Sequence, residues 1–306
     1  MEHKFEQPTL RSSRVRRWLG HLWREWTIES RRPIAPAFAK PEPREWNDAR
    51  VTVAWLGHST VLINFFGITI LTDPALFPRV GIRLPGFTIG PKRLIAPALK
   101  FDELPRIDIV LLSHAHFDHF DLRTLDQFEK YTTVITAPHT RDLLRWTRLC
   151  DVTELRWGEH KWVDASAGRI DIFAFSVKHW GARKQRDTYR GYNGYVLERN
   201  GRRILFAGDT ALTDSFAKLR ERGRIDLAIM SIAAYNPWIR SHCTPEQAID
   251  MANAAGAQFI MPVHHQTFRL SFEPLREPIE RFQRALKQTP ERIALCEIGE
   301  TFLLPL

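Results

Sequence analysis

The sequence predicts an α/β fold in four layers, an αββα sandwich of two β-sheets packed face to face with helices outside. Three observations lead there. Short apolar runs recur along the chain and are punctuated by turn residues, the pattern of strands. Between groups of them stand segments with apolar residues three and four apart, the pattern of helices packed by one face. Hydrophobic residues make up 44% of the 306, enough to fill the core that two sheets enclose.

Taken in order, residues 1–50 differ from the rest. Arg11 to Trp26 is basic and rich in tryptophan, and Arg32-Pro33-Ile34-Ala35-Pro36 through Pro41 and Pro43 reads as an extended linker. Strands are expected at Val51–Leu56, Val61–Phe65 and Ile68–Leu71, with tight turns containing Gly57 and Gly67 between them. Further strands are expected at Ile107–Leu112, Thr133–Thr136, Ile170–Val177, Gly194–Glu198, Arg203–Ala207, Leu227–Met230, Gln258–Met261 and Ile293–Cys296. Helical spacing falls at about 122–130, 140–149, 214–222, 245–255 and 275–287. Strands in runs with helices inserted at intervals place one compact domain over 51–306, with no internal repeat.

The chain carries a net charge of +9, which attracts phosphate on nucleic acid, anionic lipid or a small ester without choosing among them. Its three cysteines, Cys150, Cys243 and Cys296, are widely spaced and read as reduced thiols. No apolar run approaches the ~18–20 residues that span a bilayer, and Met1 to Glu6 lacks the apolar stretch of a secretory signal. The expected location is cytoplasmic, with peripheral membrane contact open. Val15, Trp18, Leu19, Leu22, Trp23 and Trp26 form one apolar stripe on a helical wheel, beside Arg14, Arg16, Arg17 and Arg24. That stripe over 11–26 either packs on the domain or lies on an anionic membrane surface.

The chemistry concentrates where strands end. His114, His116, Asp118 and His119 follow the run Ile107–Leu112 at once. His179 follows the strand Ile170–Val177, Asp209 follows Arg203–Ala207, and His264 follows Gln258–Met261. Imidazoles and carboxylates are the ligands zinc takes in a hydrolytic site with open positions. These seven residues, one a carboxylate able to bridge, suffice for two metals, expected as two Zn2+ with other divalent ions possible. His139 and His160 have no partner at metal spacing.

His114-Ala115-His116-Phe117-Asp118-His119, a strand-end histidine, Gly208-Asp209-Thr210 and a last histidine resemble the metallo-β-lactamase superfamily from about Val51 to the C-terminus. The resemblance implies one metal on His114, His116 and His179 and a second on Asp118, His119 and His264, with Asp209 bridging. It also implies that Asp73 braces the histidine loop. His58 is either a partner of the site or a histidine packed beneath it. Trp55-Leu56-Gly57-His58-Ser59-Thr60, Leu71-Thr72-Asp73-Pro74, Gly90-Pro91-Lys92-Arg93, Ala234-Tyr235-Asn236-Pro237-Trp238 and His264-His265-Gln266-Thr267-Phe268 resemble the phospholipase D family that hydrolyses N-acylphosphatidylethanolamine. His242 matches a histidine of that family near the substrate phosphate, which implies a catalytic or substrate-contacting role, and His265 is expected to line the site.

Two loops are expected to shape the substrate. Pro74 to Pro105 carries Phe77, Leu84, Phe87 and Ile89 beside Arg79, Arg83, Lys92 and Arg93, the mixture of a lid or groove. After His179 come Trp180, Arg183, Lys184, Arg186 and Arg190, candidates to grip a phosphate. Two cations ~3.5–4 Å apart would hold a hydroxide between them and bring its pKa from 15.7 toward ~7. Asp118 would orient the attacking water and His242 protonate the leaving oxygen. The leading expectation is therefore a phosphodiesterase of phospholipase D type on a lipid-like phosphate ester. A soluble lactone or carboxyl-ester hydrolase is the alternative and a nuclease the third. No specific nucleic acid is expected, because Asp209 and His264 stand only 55 apart, too close for the domain that large RNA-processing relatives insert there.

Overall fold

The computed structural model describes residues 31–184 and 186–306, so the stripe expected over 11–26 lies outside the described residues. The meander β1 (Val51–Gly57), β2 (Thr60–Phe65) and β3 (Ile68–Thr72) opens the first sheet. Nearly every residue in it is buried, because strands covered on both faces need no polar alternation. The chain then makes a separate hairpin of β4 (Ile82–Leu84) and β5 (Phe87–Ile89) before returning as β6 (Ile109–Leu111), β7 (Thr133–Thr136) and β8 (Val152–Glu154). The pairs β3–β6, β6–β7 and β7–β8 are parallel, so each needs a crossover, and the one after β6 carries the histidine loop.

The second sheet begins as an antiparallel run: β9 (His160–Ala165), β10 (Gly168–Phe175), β11 (Gly194–Arg199) and β12 (Arg202–Phe206). It continues in parallel with β13 (Ile225–Ser231) and β14 (Ala257–Val263). The last strand, β15 (Thr301–Leu303), returns to the first sheet beside β1. The two sheets are ordered 15-1-2-3-6-7-8 and 14-13-12-11-10-9.

Alternation sorts the second sheet between two apolar layers. Tyr195, Leu197, Ile204, Phe206, Leu227 and Ile229 join the core shared with the first sheet. Val196, Leu205, Ala228 and Met230 face outward, where they meet Phe216, Leu219, Ile249, Met251 and Phe282. Ile249 and Met251 belong to the helix Pro245–Ala254, and Phe282 to the helix Glu277–Ala285. The former begins with a reciprocal cap: Thr244 Oγ1 accepts from Gln247 N at 3.3 Å, and Gln247 Oε1 accepts from Thr244 N at 3.1 Å.

Several expectations are corrected. The segment Ile293–Cys296 makes one bridge to Ile260 and forms no strand; Cys296 N and Glu297 N donate instead to Glu300 Oε2, which curls the chain into a turn. The helix expected at 122–130 is one turn, Leu122–Leu125. The segments expected as helices at 140–149 and 214–222 are helical but wound more tightly, as the 3-10 helices Arg141–Trp146 and Asp214–Arg222. The proline-rich stretch runs along the domain: Ala35 bridges Ile95, and Phe38 N and Ala39 N donate to Ile298 O. Gly299, at φ +97°, lets this strap pass, since a Cβ there would lie 1.7 Å from Ala39 O. Among the described residues no helix is long and apolar enough to cross a membrane.

Candidate metal centre

The seven candidate ligands meet at one end of the sandwich, four from the loop after β6 and three from loops after β10, β12 and β14. Backbone geometry explains how two sheets deliver them to one place. Gly208 has φ +60°, and a Cβ on it would lie 2.7 Å from Ser113 Cβ, so glycine lets the end of β12 abut the start of the histidine loop. Thr210 Oγ1 then accepts from Lys178 N at 3.0 Å, which joins the Asp209 and His179 loops. His264 N donates to His58 O at 3.0 Å, tying the β14 loop to the β1–β2 turn.

Three histidines anchor one ring nitrogen and present the other. His114 Nδ1 is 2.9 Å from Ser113 Oγ, His179 Nδ1 donates to Ser241 O at 2.8 Å, and His119 Nδ1 donates to Asp73 Oδ2 at 2.7 Å. Such bonds fix the tautomer and aim Nε2 at the ligand position. His114 Nε2 and His179 Nε2 lie 2.9 and 3.3 Å from His116 Nδ1. Two nitrogens at ~2.0–2.1 Å from a tetrahedral zinc stand ~3.3 Å apart, so this triad fits one ion. Burial, reinforced by neighbouring imidazoles, holds His114 well below its ordinary pKa and lowers His116 to about 3. Burial likewise lowers His179 to about 4. All three rings are neutral, the form that coordinates.

The second group is charged. Asp209 Oδ2 stands 3.1 Å from His119 Nε2 and 3.2 Å from His264 Nε2, and Asp118 Oδ2 stands 3.6 and 3.8 Å from the same two atoms. Burial opposes charge on His119 and His264, but Asp209 and Asp118 outweigh it, lifting His119 well above its ordinary value and His264 to about 9. Burial would likewise raise both carboxyls, yet cationic His119 holds them well below theirs. Here protons stand where cation charge would. Asp209 Oδ2 is also 3.9 Å from His179 Nε2, which sets it between the two groups.

A cation test passes on unpaired atoms. His119 Nε2, His264 Nε2 and Asp209 Oδ1 are buried without a hydrogen-bond partner; the close approaches to Asp209 Oδ2 are not aligned for hydrogen bonds. Each such group costs ~1–3 kcal/mol unless something satisfies it. A divalent ion in the second group would satisfy the inward-facing ones, and the three neutral imidazoles converging in the first present a donor set that suits zinc.

Proximity also draws in His58, Asp73 and His242. Asp73 is saturated, accepting from Ser113 N at 2.7 Å, Ser113 Oγ at 2.5 Å and His119 Nδ1 at 2.7 Å, so it braces the loop. His58 Nε2 is 2.9 Å from Asp118 Oδ2, and burial lowers its pKa to about 3. His242 Nδ1 is 3.8 Å from Asp209 Oδ2, and its ring borders the open side of the site. His265 turns away and packs on Trp55 with ring centroids 4.5 Å apart, so it does not line the main cavity.

Above the site opens a cavity of about 470 Å³. His116, Asp118, Asp209 and His242 meet it at its base, while Val80, Ile82, Ile89, Phe117, Trp180, Trp238 and Leu270 wall it and Arg269 borders it. Two arginines of the basic loop after His179 are engaged within the protein. Arg183 donates to Ala115 O at 2.9 Å and Phe120 O at 2.8 Å and stacks on Phe117 at 4.0 Å. Arg190 is engaged with Asp187 and Asp142. These two arginines hold loops in place. The apolar walls come from Phe117, Trp180 and Trp238, whose nearness only the fold discloses; Phe117 inside the histidine motif and Trp180 beside His179 were the signals in the sequence.

Residues 69–265 match the beta-lactamase superfamily domain family. An uncharacterized protein of Mycobacterium tuberculosis is 30% identical over 286 residues, covering 89% of this chain and 74% of that protein. The N-acyl-phosphatidylethanolamine-hydrolyzing phospholipase D 1 of Caenorhabditis elegans is 29% identical over 257 residues, covering 78% and 71%. Among solved structures, Igni18, a metallo hydrolase from the archaeon Ignicoccus hospitalis, superposes with a TM-score of 0.63 at 19% identity over 84% of this chain and 99% of that one, a likeness of fold.

Proposed function

The chain belongs to the beta-lactamase superfamily as a metal-dependent hydrolase, and on that premise we propose that it is a zinc-dependent phosphodiesterase of phospholipase D type acting on a lipid-like substrate. The observation that carries this reading is the division of the cavity, with every ionisable group except Arg269 at its base and apolar walls above. Such a site suits an amphiphile whose charged ester meets the base while a chain lies along Phe117, Trp180, Trp238 and Leu270. The phospholipase D of Caenorhabditis elegans, at 29% identity, supports the same chemistry.

His114, His116 and His179 would hold one ion, and Asp118, His119 and His264 a second, with Asp209 between them. When bound, the ions supply Lewis acidity toward the ester oxygen and a water activated near neutral pH. The chain's own groups do the rest. Asp118, fixed by His58 at 2.9 Å, orients the attacking water in line with the scissile P–O bond and takes up its proton. His242 stands on the open side of Asp209, where burial holds its pKa well below the ordinary value and keeps the ring neutral; it is placed to hydrogen-bond the departing alcohol oxygen, to which the proton taken up by Asp118 returns. The aromatic walls exclude bulk water, which strengthens each of these interactions.

Zinc-loaded protein assayed with bis(p-nitrophenyl) phosphate, an N-acylated phosphatidylethanolamine, a lactone and a β-lactam tests the reading. Diester turnover above that of the other two classes is the expected result. Efficient lactone or β-lactam hydrolysis with no diesterase activity would replace it with the carboxyl-ester and lactone reading.

A further inference from the structure

We propose that the β4–β5 hairpin is a lipid-docking device that seats the mouth of the cavity on an anionic membrane surface. The proposal rests on the lipid-like substrate reading but involves no residue of the metal centre. On this two-stranded ribbon the cross-strand pairs are Ile82↔Ile89, Arg83↔Thr88 and Leu84↔Phe87. Alternation therefore puts Ile82, Leu84, Phe87 and Ile89 on one face, and these four are 37–55% exposed. A large apolar residue exposed singly needs no explanation, but four contiguous on an eight-residue projection mark an interaction site.

The projection is braced so that this face does not collapse onto the domain. On the opposite face Thr88 is buried, and Arg123 Nη1 donates to Thr88 Oγ1 at 3.0 Å. The base closes between Gly81 and Gly90, where any Cβ would lie 2.1 Å from a facing carbonyl oxygen, and Val80 N donates to Pro91 O at 3.2 Å. Ile82 and Ile89 belong both to the exposed face and to the wall of the catalytic cavity, so the two apolar surfaces are continuous.

Charge identifies the occupant. Beside the hairpin an open groove of about 1230 Å³ is lined by Arg31, Arg79, Arg83, Lys92 and Arg123, with Asp126 the one acid among its described residues; Arg79, Lys92 and Arg123 also donate to the backbone carbonyls of Gly90, Arg32 and Arg79, bonds to neutral acceptors that fix these side chains at the groove. Apolar side chains at the tip and cations around it match the acyl boundary and anionic headgroups of a bilayer. A second copy fits less well, because a two-fold contact through the hairpins would bring two basic grooves together and cap both cavities. Docked on lipid, the cavity would open toward the surface from which an amphiphile is drawn.

The test uses the full zinc-loaded chain with phosphatidylcholine vesicles, with and without one-fifth phosphatidylglycerol. Wild type is expected to sediment at least ten-fold more with the anionic vesicles, less so in high salt. The double variant Leu84→Ser, Phe87→Ser is expected to lose at least ten-fold of that binding while hydrolysing a soluble diester at the wild-type rate. Phe87→Trp is expected to add a blue-shifted emission component over wild type when vesicles are present. Binding of the double variant equal to wild type, a Phe87→Trp difference spectrum that vesicles do not move, or a dimer in light scattering that the double variant abolishes would overturn the proposal. Vesicle binding without any diesterase activity would leave docking intact and defeat the phosphodiesterase reading alone.

Discussion

Asp209 Oδ2 is the atom on which both halves of the site converge, 3.1 Å from His119, 3.2 Å from His264 and 3.9 Å from His179. Removing it leaves two cations facing each other with no anion between, so Asp209→Ala should bind clearly less than two metals per chain and be essentially inactive. His242 contributes differently, because it borders the open side and closes neither ligand set. His242→Ala should keep the wild-type metal content and lose ~10²-fold or more in kcat, the usual weight of a hydrogen-bond donor aimed at developing charge. Elemental analysis beside steady-state kinetics separates the two; wild-type metal content and rate in both variants would refute the assignment. Asp73 touches no metal position but holds His119 and Ser113, so Asp73→Ala should weaken metal affinity by ~10–100-fold, read by competition with a chromogenic chelator.

At the scale of elements, the loop after His179 shows what the sequence disclosed and what it concealed. The ligand residues were legible because strand-end chemistry follows chain order: each sits just past an apolar run, and Gly208 announces a close backbone approach. The use of Arg183 was not legible, because its partners, Ala115 O and Phe120 O, lie more than sixty residues away and are carbonyls, which leave no mark in a sequence. The hairpin β4–β5 was legible only as a mixture of apolar and basic residues, since its pairs are short and exposed. β15 escaped because three residues ending a chain carry little periodicity, while Ile293–Cys296 offered a better apolar run and lost its backbone donors to Glu300. From the observed role, Arg183→Ala should leave two buried carbonyls without donors at ~1–3 kcal/mol and lower Tm by several degrees. Substrate KM should rise as Phe117 loses its stacking partner; an unchanged melting curve would show that the contact is dispensable.

At the scale of the molecule, the site is where the two sheets meet. His114, His116, Asp118 and His119 extend from the first sheet, whereas His179, Asp209 and His264 extend from the second. Each proposed ion takes ligands from both, so it would cross-link the layers at one end as their shared apolar core does along their length. The two contributions are separable. The core clusters involve no candidate ligand, so metal-free protein should stay folded, with its far-ultraviolet circular dichroism retained. Anything that binds the native state alone stabilises it by RT ln(1 + [L]/Kd), about 4 kcal/mol at a thousand-fold excess over Kd. For a chain of this size that corresponds to a Tm rise of order ten degrees on zinc repletion after chelation. Calorimetric scans of chelated and repleted protein read the difference directly. Coincident transitions would mean that the two loop groups are held in register by packing alone, and that no ion spans the sheets.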